Sequence, residues 1–388
     1  MKRLKIGLFI DAFFPMVDGV VIAVHNYALE LSKYADVVVF APLPREKDYQ
    51  IDLPYEVIRC RRMKVLFTDY DLATPLFDRH YRKILKESYL DIVHIHSPFE
   101  IGRTGVRYAK KNKIPVIASL HSQIKKDFQD RTRSRLIAFL AMRQIVRTLN
   151  KADYFWAVNH KVAEIYQSYG LRQLPEVHFN GTDLVYNYDN DMVYAIQKSV
   201  KIRAQEKIFL FVGRIDFIKN LEFLVNSLKI LFDANFPFQM IFIGSGPHQK
   251  AILKMVDTLG IKSVIHFTGR ITDRVKLSAF YQAADLFLFP SKYDSSSLVQ
   301  IEAASQKTAA IFLEDTATAD TVTADVNGYI TKDDPQAFAD KIMAIFKDEA
   351  TYRQVCENAH RDLYHSWKTV VNDAYQKYLE IVKNFQGC

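Results

Sequence analysis

Hydrophobic residues in this chain gather into short, nearly continuous runs, separated by longer stretches in which they recur at helical spacing. The runs at 4–10, 36–41, 55–59, 91–95, 115–119 and 153–157 predict strands covered on both faces, because a half-exposed strand would alternate instead. The intervening stretches at 20–33, 75–88, 103–112, 131–150 and 159–169 predict helices. The pattern breaks around Asn180-Gly181-Thr182-Asp183, and a polar Tyr/Asn/Asp-rich stretch to Asn190 predicts a linker. It then restarts, with strands expected at 207–212, 238–243, 263–268, 285–290 and 308–313, and helices at 220–234, 247–259, 273–283 and 297–305. The end reads as three helices, 335–347, 350–364 and 367–385. Regular alternation of strand and helix is the mark of α/β architecture with parallel sheets and right-handed crossovers. The expected organisation is two Rossmann-like doubly wound domains facing across a cleft. Residues 1–183 with 366–388 form the first and 190–365 the second, the last helix returning to the first domain.

A chain of 388 residues, 49% hydrophobic and 25% charged, can bury two cores of ordinary size. No apolar stretch is long enough to cross a membrane as a helix. The basic and apolar N-terminus MKRLKIGLFIDAFF could pass for a leader. Its run is short, carries Asp11 and lacks a small-residue cleavage site, so it reads as a first strand. Cys60, Cys356 and Cys388 are scattered and odd in number, which implies neither a disulfide framework nor a metal cluster and fits a reducing cytoplasm.

The net charge of +8 is concentrated in the first half: residues 1–183 hold 29 Lys+Arg against 20 Asp+Glu. The densest part, 103–151, has 13 basic residues against Asp127 and Asp130. No zinc finger, RNA-binding signature or helix-turn-helix accompanies it, which argues against nucleic acid. An anionic membrane surface is the more economical partner, since each basic residue near it contributes about 1 kcal/mol. Phe128, Phe139, Leu140 and Met142 are its apolar neighbours. A solvated helix face is the alternative.

Candidate chemistry falls at predicted strand ends. After the run Asp285–Pro290 comes YDSSSLVQIE, Tyr293–Glu302, with Ser296 or Ser297 near the start of a helix. Backbone N–H groups and the helix dipole there favour an anion, and Glu302 one turn in suits a ribose diol. Gly213-Arg214 closes another strand and Lys219 follows, two cations suited to clamping a diphosphate. Gly244-Ser-Gly246 and Gly19 also stand at strand ends, where backbone must turn or approach a ligand. His94, His96 and His121 end two neighbouring strands. No carboxylate stands at ligand spacing, so no metal site is expected, and His121 reads as a polar group at the cleft.

Gly213-Arg214 with Lys219, the Gly244-Ser-Gly246 loop, Phe267-Thr-Gly269-Arg270 and Pro290-Ser-x-x-Asp294-x7-Glu302 occur in one fixed order. With Pro15-x-x-Asp-Gly19-Val, Asp91–His96 and His121-Ser122, this order resembles the retaining glycosyltransferases of family four, which have the GT-B fold. The resemblance implies a first domain that binds acceptor and a second that binds a nucleotide sugar. It implies that Arg214 and Lys219 hold the donor diphosphate and offset charge on the departing nucleotide, replacing a divalent metal. It further implies that Glu302 binds the ribose hydroxyls and that Ser296, Ser297 and Leu298 give amides to phosphate. Gly213 and Gly244 would shape the donor loops. Gly19 would let the opposite domain close over the donor. Arg270 and Ile271 would cover the base, and His121 would contact the transferred sugar. Asp294 stands where the family usually has Glu, and Ser295–Ser297 replace the usual glycines.

The expected function is therefore transfer of a hexose, with retention and without a metal, from a UDP-linked donor. The acceptor is a membrane glycolipid or a lipid-linked sugar, and the nucleotide sugar is a co-substrate rather than a cofactor. The enzyme would be cytoplasmic and peripheral on the inner membrane face. A soluble saccharide acceptor and a non-catalytic adaptor are alternatives. A nicotinamide-dependent dehydrogenase is disfavoured because no full Gly-x-Gly-x-x-Gly follows the first strand.

Overall fold

The computed structural model describes residues 3–46, 49–64, 71–122, 124, 134–203 and 205–386. The chain divides into two compact units, residues 1–180 with 367–388 and residues 181–366.

The first unit is built on a parallel seven-stranded sheet of order β3-β2-β1-β6-β7-β8-β9. Its strands are β1 (Lys5–Phe9), β2 (Asp36–Pro42), β3 (Glu56–Cys60), β6 (Ile92–Ile95), β7 (Val116–Leu120), β8 (Tyr154–Ala157) and β9 (Glu176–Val177). A two-strand antiparallel ribbon, β4 (Arg62–Met63) with β5 (Leu72–Ala73), stands apart. Strands β1, β2, β6 and β7 are buried almost throughout, which is why they read as continuous apolar runs. The crossovers include α1 (Gly19–Leu31), α2 (Arg79–Glu87), α3 (Glu100–Asn112), α4 (Arg135–Leu149) and α5 (His160–Ser168). Asp18 starts α1 by accepting the Val21 N–H at 2.8 Å, the usual role of a short acidic side chain at an N-cap.

In the second unit a parallel six-stranded sheet runs β12-β11-β10-β13-β14-β15. It comprises β10 (Lys207–Val212), β11 (Phe238–Ile243), β12 (Ile265–Gly269), β13 (Leu286–Phe289), β14 (Ala310–Leu313) and β15 (Tyr329–Thr331). Helices α6 (Asn190–Ser199), α7 (Leu221–Asp233), α8 (Gln249–Thr258), α9 (Arg274–Ala283), α10 (Leu298–Ser305), α11 (Pro335–Ile345) and α12 (Glu349–Leu363) cover it. Phe209, Phe211, Phe238, Phe242 and Phe287 are fully buried in its core.

The last helix, α13 (Trp367–Gln386), belongs to the first unit and packs along α1. Trp367 meets the edge of Tyr27, Tyr375 stacks on Tyr34, and the Tyr378 hydroxyl lies 2.6 Å from His94 Nδ1.

Five short or linker-bound elements among the described residues depart from the pattern expected above. The ribbon β4–β5, β9 and β15 are two or three residues long, too short for a period to register. Helix α6 begins inside the expected linker, where Asp189 accepts the Met192 N–H. Gly181, Thr182 and Asp183 belong with the second unit rather than the first, as does Ser366. Thr182 donates its N–H to the His365 carbonyl at 2.9 Å and pairs with Ser366 in a parallel bridge.

Candidate active site

In a doubly wound sheet, the loops at the strands' carboxyl ends part where the strand order reverses, leaving a crevice. In the second unit that point lies between β10 and β13. After β10 the chain passes Gly213, Arg214 and buried Ile215, makes a 3-10 turn at Phe217–Lys219, and turns into α7 through Asn220 at φ +60°. Asn220 donates from its amide to the Pro290 carbonyl at 3.2 Å, stitching this loop to the one after β13. Lys219 follows the same direction. Its Nζ lies 2.5 Å from Asp294 Oδ1, each side chain 19% exposed. The second oxygen, Asp294 Oδ2, is buried and has no hydrogen-bond partner. Spacing alone paired Lys219 with Arg214, and the structure gives the two cations different surroundings. Arg214 is 56% exposed, and its Nε stands 3.4 Å from Asp216 Oδ2.

Three residues after Asp294, Ser297 caps α10, with Leu298 its first residue; Ser297 makes no side-chain hydrogen bond to the helix. Ser296 precedes this cap. Glu302, one turn in, is buried. Its Oε1 accepts from Arg274 Nη2 at 2.8 Å and its Oε2 from the Tyr281 hydroxyl at 2.9 Å. Burial raises its carboxyl above the ordinary value, against the pull of the Arg274 charge and these hydrogen bonds. Each carboxylate oxygen keeps a second lone pair. Arg274 and Tyr281 were not anticipated, and neither was Asp183, onto which Arg274 also forks. Only the Asp294–Glu302 spacing was local enough to notice.

The glycines flank this crevice. A Cβ on Gly244, at φ +138°, would stand 1.8 Å from the Gly213 carbonyl oxygen, so glycine lets the ends of β11 and β10 lie against each other. Gly269 closes β12, after which Arg270 is exposed, while Ile271 is half-buried against the core.

In the first unit the order reverses between β1 and β6. Asp11, just past β1, is half-buried and accepts from the Ser97 hydroxyl and the Ile101 N–H, both at 2.8 Å. Burial pushes its carboxyl up to about 6. Gly19 opens α1 with nothing within 4 Å of where its Cβ would be, so packing does not require glycine there. His94 and His96 rings lie 4.0 Å apart, on the same side of the sheet although β6 ends between them. His94 is held by Ser119 Oγ at 2.7 Å as well as by Tyr378. His96 Nδ1 lies 3.0 Å from His121 Nε2, and its own Nε2 is buried without a partner. Burial lowers all three imidazoles, His121 to about 4, so they are neutral at pH 7. Among the described residues no group of three ligating side chains could hold a metal ion.

Helix α4 presents Leu136, Ile137, Phe139 and Leu140 to solvent, followed by exposed Arg143 and Arg147. Met142, named above as an apolar neighbour of the basic region, is buried against the unit, and Phe128 lies outside the described residues. Arg107, Lys111, Lys113 and Lys151 are exposed, whereas Arg103 pairs with Glu100 and Lys110 with Asp153. Among the described residues no helix is long and apolar enough to cross a membrane.

Two doubly wound units and a last helix that returns to the first define the GT-B class of glycosyltransferases. Two family models match the chain: Glycosyltransferase Family 4 over residues 17–186 and Glycosyl transferases group 1 over residues 194–362. The chain belongs to this family of glycosyltransferases and is an enzyme of the hexosyltransferase class. It is 25% identical to alpha-monoglucosyldiacylglycerol synthase of Acholeplasma laidlawii, over 77% of this chain and 78% of that protein. To the GDP-mannose-dependent alpha-mannosyltransferase of Corynebacterium glutamicum it is 23% identical, over 98% and 90% respectively. In fold it is similar to Anabaena HepE crystallised with UDP. The TM-score is 0.78 and the identity 16%, with 98% of this chain and all of that one covered.

Proposed function

We propose that this enzyme transfers a hexose from UDP-hexose to a membrane glycolipid or lipid-linked sugar, with retention of configuration and without a divalent metal. The observation that carries the reading is the Lys219–Asp294 pair at the β10–β13 reversal, with one Asp294 oxygen buried and unpartnered. A donor sugar hydroxyl supplies the hydrogen that oxygen lacks. Lys219 and Arg214, with the amides of Ser296, Ser297 and Leu298 at the start of α10, face the diphosphate. Glu302 takes the ribose diol, and Arg270 and Ile271 border the base. As the bond from the anomeric carbon to the phosphate oxygen breaks, negative charge grows on the departing diphosphate, and preplaced cations stabilise it without reorganising. The acceptor oxygen attacks on the face the nucleotide leaves, and its proton passes to the released phosphate oxygen. In the first unit, Gly19 leaves backbone open to approach, and His121, neutral and already bonded through Nε2, offers Nδ1 to a sugar hydroxyl.

The lipid acceptor is supported by the exposed apolar face of α4 beside Arg143 and Arg147, an arrangement that suits an anionic bilayer surface. It is also supported by the diacylglycerol product in the name of the Acholeplasma relative. Exposed Arg107, Lys111, Lys113, Arg143, Arg147 and Lys151 then contribute to the basic surface of a peripheral enzyme on the inner membrane face. The donor base is the point on which similar proteins differ, one relative being named for GDP-mannose and a structural neighbour being crystallised with UDP. The test is transfer of labelled sugar from UDP-glucose, UDP-galactose and GDP-mannose onto vesicles containing diacylglycerol or monoglucosyldiacylglycerol, with chelator present throughout. Transfer from a UDP-sugar that survives chelation is expected. Transfer only to soluble saccharides, or only with added metal, would overturn the corresponding part.

A further inference from the structure

We propose that Arg274 is a positioning residue of the donor site, holding Glu302 ionised and aimed for a ribose diol, and that Asp183 in turn holds Arg274. This rests on the reading of Glu302 given above. It adds the groups that set that carboxylate's charge and orientation.

Glu302 is buried on α10, where an isolated carboxylate would favour its neutral form. The charged and titratable groups that act on it are Arg274 and Tyr281 on α9 and Asp183 at the beginning of the unit. Arg274 and Tyr281 are seven positions apart on α9 and therefore share one face. That face delivers one donor to each carboxylate oxygen, Arg274 Nη2 to Oε1 and the Tyr281 hydroxyl to Oε2. Each oxygen keeps a lone pair, and two adjacent ribose hydroxyls need two acceptors. A protonated Glu302 would instead present an O–H in competition with the diol.

The guanidinium is itself fixed. Its Nε donates to Asp183 Oδ2 at 3.0 Å, and the Nη2 that reaches Glu302 also meets Asp183 Oδ1. Burial alone would lower the Arg274 pKa, but Glu302 and Asp183 together hold it above the ordinary value. Asp183 follows Thr182, whose backbone is pinned to His365 and Ser366. One planar fork thus spans two carboxylates, a geometry that an ammonium does not reproduce.

The test measures UDP and GDP dissociation constants by titration calorimetry, together with donor KM and kcat, between pH 7 and 9. The variants are R274Q, R274K, D183N and E302Q. For R274Q, weakening on the order of tenfold at pH 7 is expected, mostly in KM, with recovery toward wild type by pH 9 as Glu302 ionises. R274K should keep the flat pH profile of wild type at intermediate affinity. If R274Q does not fold, D183N decides: its carboxylate is half-exposed, and a loss of about threefold in nucleotide affinity is expected. Unchanged affinity in R274Q or D183N, or a loss in R274Q that does not vary with pH, overturns the proposal. Unchanged affinity in E302Q overturns the ribose reading beneath it.

Discussion

Lys219 and Asp294 stand 75 positions apart in sequence and 2.5 Å apart in space. Replacing Lys219 by Ala removes one preplaced cation, so kcat should fall by roughly 10²–10³-fold. It also leaves a half-buried carboxylate without its counter-charge, at about 1–3 kcal/mol of stability. Adding Asp294→Ala should restore stability in denaturant melts without restoring turnover, which separates catalytic from structural loss. The histidines give a pH prediction. Because burial lowers the His121 pKa to about 4, the unfolded chain takes up a proton that the folded one resists. Stability is therefore full above the ordinary histidine range and lost as pH falls toward 4, His121 contributing on the order of 3 kcal/mol. Urea midpoints at pH 7 and pH 4.5 measure this, and His121→Asn should flatten the slope.

Among the elements, β11 and α4 make opposite demands on the reader of a sequence. Gly244 at the end of β11 signals a close approach, and the structure supplies the partner, the Gly213 carbonyl. Gly244→Ala should cost several kcal/mol and lower the thermal midpoint, because backbone rather than a side chain would have to move. In α4, apolar residues occupy both faces, so the sequence alone does not say which ones meet solvent. Phe139 and Leu140 are exposed whereas Met142 is buried. Phe139→Glu with Leu140→Glu should leave the melting curve in place and abolish co-sedimentation with phosphatidylglycerol vesicles. Retained sedimentation would remove α4 from the membrane surface. Strand positions were legible because fully buried parallel strands need unbroken apolar runs. The Arg274–Glu302–Asp183 cluster was not, since its members sit on three elements and carry no shared local pattern.

At the level of the whole molecule, α13 is last in sequence yet completes the first unit. Trp367, Val371, Ala374, Tyr378 and Ile381 are buried, and Tyr378 holds His94. Deleting residues 367–388 should therefore unfold residues 1–180 while residues 181–366 keep a cooperative transition, as seen by calorimetry and limited proteolysis. Short-range physics was enough for the two doubly wound sheets. Apolar runs, caps and glycines act within a few residues, so composition and spacing carry them. The order of motifs likewise reached the family, because each motif is local to one strand end. Long-range closure is another matter. It takes the strand-order reversal at β10 and β13 to bring Lys219 to Asp294, and the packing of α9 on α10 to bring Arg274 to Glu302. No residue's neighbours along the chain encode these meetings, which arise only when the sheet assembles and side chains compete for the same buried space.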